Sequence, residues 1–119
     1  MNAVAELRSL LPEASRGAGA TGARLVETLE AQSRLDAEPF VSALAGLTGM
    51  VAMGAGALRQ SRPRFDLISF PEAMSRRCAA LENDAGGVMV ITDDPFDAQQ
   101  RPWAEDRLKT RFAWRLVHR

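Results

Sequence analysis

The sequence predicts an α+β domain: an N-terminal helical hairpin packed on a small three- or four-stranded sheet with two further helices. Three observations predict it. Apolar residues recur at helical spacing through the first half, at Leu25, Val26 and Leu29 and again at Phe40, Val41, Leu44 and Leu47. Short strand-like runs in the second half flank the loop Asn83-Asp84-Ala85-Gly86-Gly87. The length, 119 residues with 46% hydrophobic and 25% charged, suits one globular domain. Fifteen Lys+Arg against 15 Asp+Glu leave no basic surplus to neutralise phosphates, which argues against nucleic acid and anionic surfaces as partners. A single cysteine, Cys78, forms neither an intramolecular disulfide nor a thiolate metal site, and a reducing cytoplasm is its simplest home. A single histidine, His118, leaves little for zinc or a His-centred triad.

Val4, Leu7, Leu10 and Leu11 place a short amphipathic helix over 3–11, with Pro12 discouraging continuation. Residues 15–22, small and bearing three glycines, read as a flexible linker, so that the packed body is 22–119. Early charges in Met1-Asn2-Ala3-Val4-Ala5-Glu6 argue against a secretory signal. A helix follows over 22–32, then Leu35 as a buried connector. Asp36 is placed to cap the next helix, with Pro39 in its first turn, and Thr48-Gly49 ends it.

No charge occurs from 40 to 58, a length that spans a bilayer. The run is rich in Gly, Ala, Ser and Thr, however, and carries turn chemistry at Thr48-Gly49 and Gly54-Ala55-Gly56, so it reads as a helix, a turn and a short buried strand over 50–53. A loop continues through Pro63. Ser69 and Glu72 form a capping box around Pro71, opening a helix to about Arg77. Residues 79–82 and 88–92 are the strands of a hairpin whose loop supplies Gly where positive φ is needed. Pro102 begins a helix to about Thr110, and the alternation of Phe112, Trp114, Leu116 and His118 with Ala113, Arg115, Val117 and Arg119 closes the chain with a strand.

Over about residues 22–118 this order resembles the N-terminal domain of the GspE/PulE/PilB secretion and pilus-assembly ATPases, related to the cyclic di-GMP-binding MshEN module. The stretches that carry the resemblance are ARLVETL, RLDAEPF and LAGLTGM in the first half, and FPEAMSRRCAALENDAGGVMVITDDPFD in the second. In the second, a helix, an Arg pair, a hairpin with a Gly-Gly turn and an Asp-Pro exit arrive in the family's order. The resemblance implies a non-catalytic adaptor docking on the cytoplasmic part of an inner-membrane platform protein such as GspL, or on the motor domains of its own ATPase. It implies a cytoplasmic location, peripheral to the membrane through that partner, and no span of its own. The chain would be either part of a longer ATPase or a free-standing relative. No G-x-x-x-x-G-K-[ST] occurs and the only lysine, Lys109, follows no Gly-rich loop, so nothing here cradles nucleotide phosphates. The alternative is a cyclic di-GMP-responsive MshEN-type module. Its motif matches at Arg24, Leu25, Val26, Leu29, Ser33, Leu35, Leu44 and Leu47 in degenerate form: Val26 and Ser33 stand at the two glycine positions and Leu47 replaces the usual Gln.

Arg76 and Arg77 end the helix that starts at Ser69; they complement its dipole, or one of them serves in partner docking. Residues 17–22 satisfy G-x-G-x-x-G, but no strand precedes them, so no dinucleotide cofactor is expected. Asp93, Asp94 and Asp97 suit a turn better than a hard-cation site, because no Gly-bearing calcium loop or terminal Glu accompanies them. Trp103 and Trp114 read as packing residues and Cys78 as a buried small hydrophobe. No cofactor and no metal are expected, and scattered carboxylates give a hydrolase reading little support.

Overall fold

The computed structural model describes residues 3–21 and 24–118. Gly22 and Ala23, on which the predicted helix start and the last linker position fall, and Arg119 of the predicted closing strand lie outside them.

Helix α1 (Ala3–Thr21) runs 19 residues without interruption through Pro12. This corrects the expectation of a short helix and a linker: residues 15–21 are helical. Leu7, Ala14 and Ala18 are buried at helical spacing, and α1 packs on the two helices that follow. Burial of that stripe outweighs the poor local propensity of Gly17 and Gly19, because most helical stability in proteins comes from packing. Pro12 and Arg8, whose carbonyl loses its bond there, both lie on the exposed side, where water replaces the missing donor.

Helix α2 (Leu25–Ser33) and helix α3 (Ala37–Thr48) form the predicted hairpin, α3 ending at Gly49 with φ +75°. Asp36 takes the N-cap position of α3, but its side chain makes no cap hydrogen bond, contrary to the sequence reading. Leu7, Val26, Leu29, Phe40, Val41 and Leu44 build the first core, to which Leu116 of the sheet also belongs. Leu35 is half-buried against it. A Cβ at Gly46 would stand 2.8 Å from Val4 Cγ2, so this α3 position without a side chain is what lets α1 approach so closely.

The uncharged stretch breaks at Gly49, and no described helix is long and apolar enough to cross a membrane. Residues 50–53 are not the expected buried strand. Val51 and Ala52 are exposed, and only Ala52 forms a bridge, to Leu116. The loop expected next contains helix α4 (Ala55–Arg59) and strand β1 (Arg62–Pro63), both too short for periodicity to reveal.

Helix α5 (Phe70–Arg76) begins with the predicted capping box: Ser69 Oγ accepts from Glu72 N at 3.3 Å, and Glu72 Oε1 accepts from Ser69 N at 3.0 Å. Strands β2 (Cys78–Glu82) and β3 (Val88–Thr92) pair antiparallel, with Gly86 at φ +83° in the loop. Helix α6 (Gln100–Leu108) then crosses over, and strand β4 (Ala113–Leu116) returns parallel to β3. The four strands are ordered β1-β2-β3-β4. One sheet face, through Cys78, Ala80 and Val90, joins Ile68 and Leu108 in a second core flanked by Trp103 and Trp114. Among the described residues the fold is α+β as expected, with four strands and three later helices, α4 being the one unforeseen.

Candidate functional site

The predicted Arg pair stands where α5 hands over to β2, and the structure separates its two members. Arg76 lies over the Trp103 ring at 5.0 Å from its centroid, and its carbonyl accepts from Gln100 Nε2 at 2.8 Å, so it fastens α5 to α6. Arg77 adopts φ +55°, which turns the chain out of the helix and sends its guanidinium the other way. There Nε donates to Asp93 Oδ1 at 3.0 Å, Nη2 donates to Asp93 Oδ2, and Nη1 donates to Glu27 Oε1 at 3.1 Å. These bonds raise the Arg77 pKa further above its ordinary value, the Asp93 hydrogen bonds being the largest cause.

Asp94, the next residue, grips α2: Arg24 Nη1 donates to its Oδ2 at 2.8 Å, while its Oδ1 accepts from Phe96 N at 3.1 Å. Asp97 Oδ1 accepts from Gln99 N at 3.0 Å. The acidic exit of β3 thus ties the α5 end and the α2 start to the sheet, and its carboxylates serve arginines and turns.

The degenerate motif positions come together, but as core. Val26, Leu29 and Leu44 are buried in the first cluster, and Leu25, Leu35 and Leu47 pack against it. Ser33 is buried and closes the α2 end, its Oγ donating to Glu30 O at 2.8 Å and accepting from Leu35 N at 3.2 Å. Arg24 alone among the eight presents a cation, and Asp94 holds it.

Other singled-out residues have structural places. Gly17 and Gly19 of the G-x-G-x-x-G stretch are helical, Lys109 caps the end of α6 at φ +54°, and His118 Nε2 meets Glu30 Oε2 at 2.8 Å. Arg101 lies 5.7 Å from the Trp114 ring centroid. Burial raises the Cys78 thiol to about 11, which leaves it protonated and unreactive at neutral pH.

Beside Arg77 the structure reveals a feature that residue-type reasoning missed. Phe65, Phe70 and Met74 are 52%, 61% and 67% exposed, the two rings meeting edge to face at 6.1 Å. They line a groove of about 540 Å³ together with the apolar side chains of Ala73, Ala79, Leu81 and Ile91. The sequence signal was the i, i+4 spacing of Phe70 and Met74 on α5, which puts both on one helix face. A larger cavity of about 720 Å³ at the start of α3 is lined by Pro39, Ser42, Gly54, Leu58 and His118, without a cluster of cations or carboxylates that would define a chemistry.

No family model matches the chain, and no curated protein matches it. Five chains of solved structures do match. One, the structure of MshE with cdg (cyclic di-GMP), is 19% identical and superposes with a TM-score of 0.64 over 92% of this chain and 80% of that one. At that identity the likeness establishes the fold, which is the one the sequence resemblance implies.

Proposed function

We propose that the chain is a non-catalytic docking domain of a type II secretion or type IV pilus ATPase, binding the cytoplasmic part of an inner-membrane platform protein of the GspL kind. The observation that carries this reading is the contiguous exposed apolar surface of Phe65, Phe70 and Met74 on a domain with the MshE fold. Scattered apolar residues on a surface are ordinary, but a groove lined mostly by apolar side chains marks an interaction site. A docking role also fits a sequence without a phosphate-cradling loop, since such a domain needs shape and apolar area rather than a nucleophile. Its location would be cytoplasmic, at the membrane through its partner.

The test is a calorimetric titration of the whole chain with the cytoplasmic part of the platform protein. A one-to-one complex is expected in the micromolar range, about −8 kcal/mol. No heat and no co-elution at about 100 μM of each would overturn the reading.

A second reading, a cyclic di-GMP-responsive module, draws support from the same neighbour, whose structure holds that dinucleotide. The burial of Val26, Leu29 and Leu44 in the core, with Leu25, Leu35 and Leu47 packed against it, and the engagement of Arg24 by Asp94 favour docking over dinucleotide binding. Melting temperature separates the two, because a ligand selective for the folded state raises it by mass action. Docking predicts no rise with cyclic di-GMP; a clear rise would transfer the assignment to the second reading.

A further inference from the structure

Resting on the docking reading, we infer that the docking face is the groove between α5 and the open side of the sheet, and that its occupant is an amphipathic helix presenting an uncharged face. Phe65, Phe70 and Met74 are its anchors; the arginine pair is not.

The occupant follows from what the groove offers. The cation that lines it, Arg77, is already satisfied within the chain, by Asp93 at 3.0 Å and Glu27 at 3.1 Å. An acidic partner or an anionic ligand would have to displace these carboxylates, so charge complementarity selects a partner face with no net charge. Addition of a strand is disfavoured at both sheet borders. On one, β1 holds Leu81 and Glu82, Arg64 N donates to Ala80 O at 2.8 Å, and Pro63 has no N–H to offer an incoming strand. On the other, Leu116 N donates to Val51 O and Met53 N donates to Leu116 O, both at 2.8 Å. Recognition must therefore run through side chains, and a groove lined by Phe65, Phe70 and Met74 with the small Ala73 and Ala79 between larger apolar neighbours accepts the bulky knobs that a helix presents at i, i+3 or i+4, and i+7.

Arg77 then acts as a positioning residue. Its αL turn and its bonds to Asp93 fix where α5 stops, and hence how Phe70 and Met74 stand over the sheet.

The experiment titrates the whole chain and its Phe70→Ser, Met74→Glu and Arg76→Glu variants with two probes. One is the cytoplasmic part of the platform protein; the other is a helical peptide of about 18 residues with leucines on one uncharged face. Phe70 and Met74 are exposed, so circular dichroism of the variants should match the parent. The expected result is a loss of about tenfold or more for both probes in the Phe70 and Met74 variants, and less than about threefold in Arg76→Glu. If the platform protein binds the parent and all variants alike, the groove assignment falls while the docking reading stands. If the platform protein does not bind the parent, the docking reading falls, and the peptide decides the groove: failure of the peptide to bind, or equal binding by the variants, overturns it. Tighter binding of a peptide with acidic residues on that face overturns the uncharged occupant. Self-association of the parent that is lost in Met74→Glu assigns the groove to a second copy and overturns the partner helix.

Discussion

Replacing Arg77 tests the tie between helices and sheet most directly, because its guanidinium and its backbone contribute with opposite signs. The side chain is 20% exposed, Asp93 13% and Glu27 39%, so the cluster lies between a buried and a surface ion pair. Removing one partner of a buried pair costs about 3–5 kcal/mol and of an exposed pair at most about 1, which places Arg77→Ala near 2–3 kcal/mol. The αL backbone at φ +55° costs a residue with a Cβ about 1 kcal/mol, and glycine recovers it. Arg77→Gly should therefore lose only about 1–2 kcal/mol although it deletes the same guanidinium. Lysine keeps the charge but loses the fork on Asp93, and should lie near the glycine variant. With 119 residues, each kcal/mol moves the melting temperature by about 4 °C, so alanine should melt about 8–12 °C below the parent and glycine about 4–8 °C below. Urea titrations at constant m-value supply the free energies, and the Arg77→Ala/Asp93→Asn double variant should cost less than the sum of its singles. Alanine and glycine variants equal to each other and within about 0.5 kcal/mol of the parent would refute both halves of the reasoning.

Acid should act through Glu72, whose pKa falls from 4.5 to about 2 because Arg107 donates to it and the Ser69 backbone and hydroxyl add further bonds. A carboxylate depressed in the folded state contributes stability above its unfolded pKa and loses it as pH falls through the folded value. The gap between parent and Glu72→Gln should thus be open at neutral pH and close between about 4.5 and 2; a gap constant with pH would contradict the assignment. For Cys78, iodoacetamide at pH 8 should leave the folded chain unlabelled and modify it rapidly in denaturing urea, since burial holds the thiol near 11. Labelling of the native chain at the rate of a free cysteine would show that the second core is open at β2.

The local segments were legible from sequence wherever a short-range physical rule acts alone. The capping box at Ser69 and Glu72 is a bond pattern three residues long, the hairpin at Gly86 needs positive φ, and α3 stops where Gly49 accepts a left-handed conformation. The apolar positions of α2 and α3 likewise report their faces through helical period, and the α+β class followed from their order. What the sequence could not determine is whatever depends on a partner far along the chain. Gly17 and Gly19 look like linker until α2 and α3 cover Leu7, Ala14 and Ala18, and the energy of that burial appears in no local window. Residues 50–53 look like a buried strand because they are apolar, yet only one bridge, at Ala52, reaches them from β4. The same holds for the site. Arg76 and Arg77 are neighbours of identical chemistry, and only the folded chain sends one to Trp103 and the other to Asp93 and Glu27. The groove exists only because α5, the 63–70 segment and the sheet enclose it together: composition names its walls, but non-local packing decides that Phe65, Phe70 and Met74 remain uncovered.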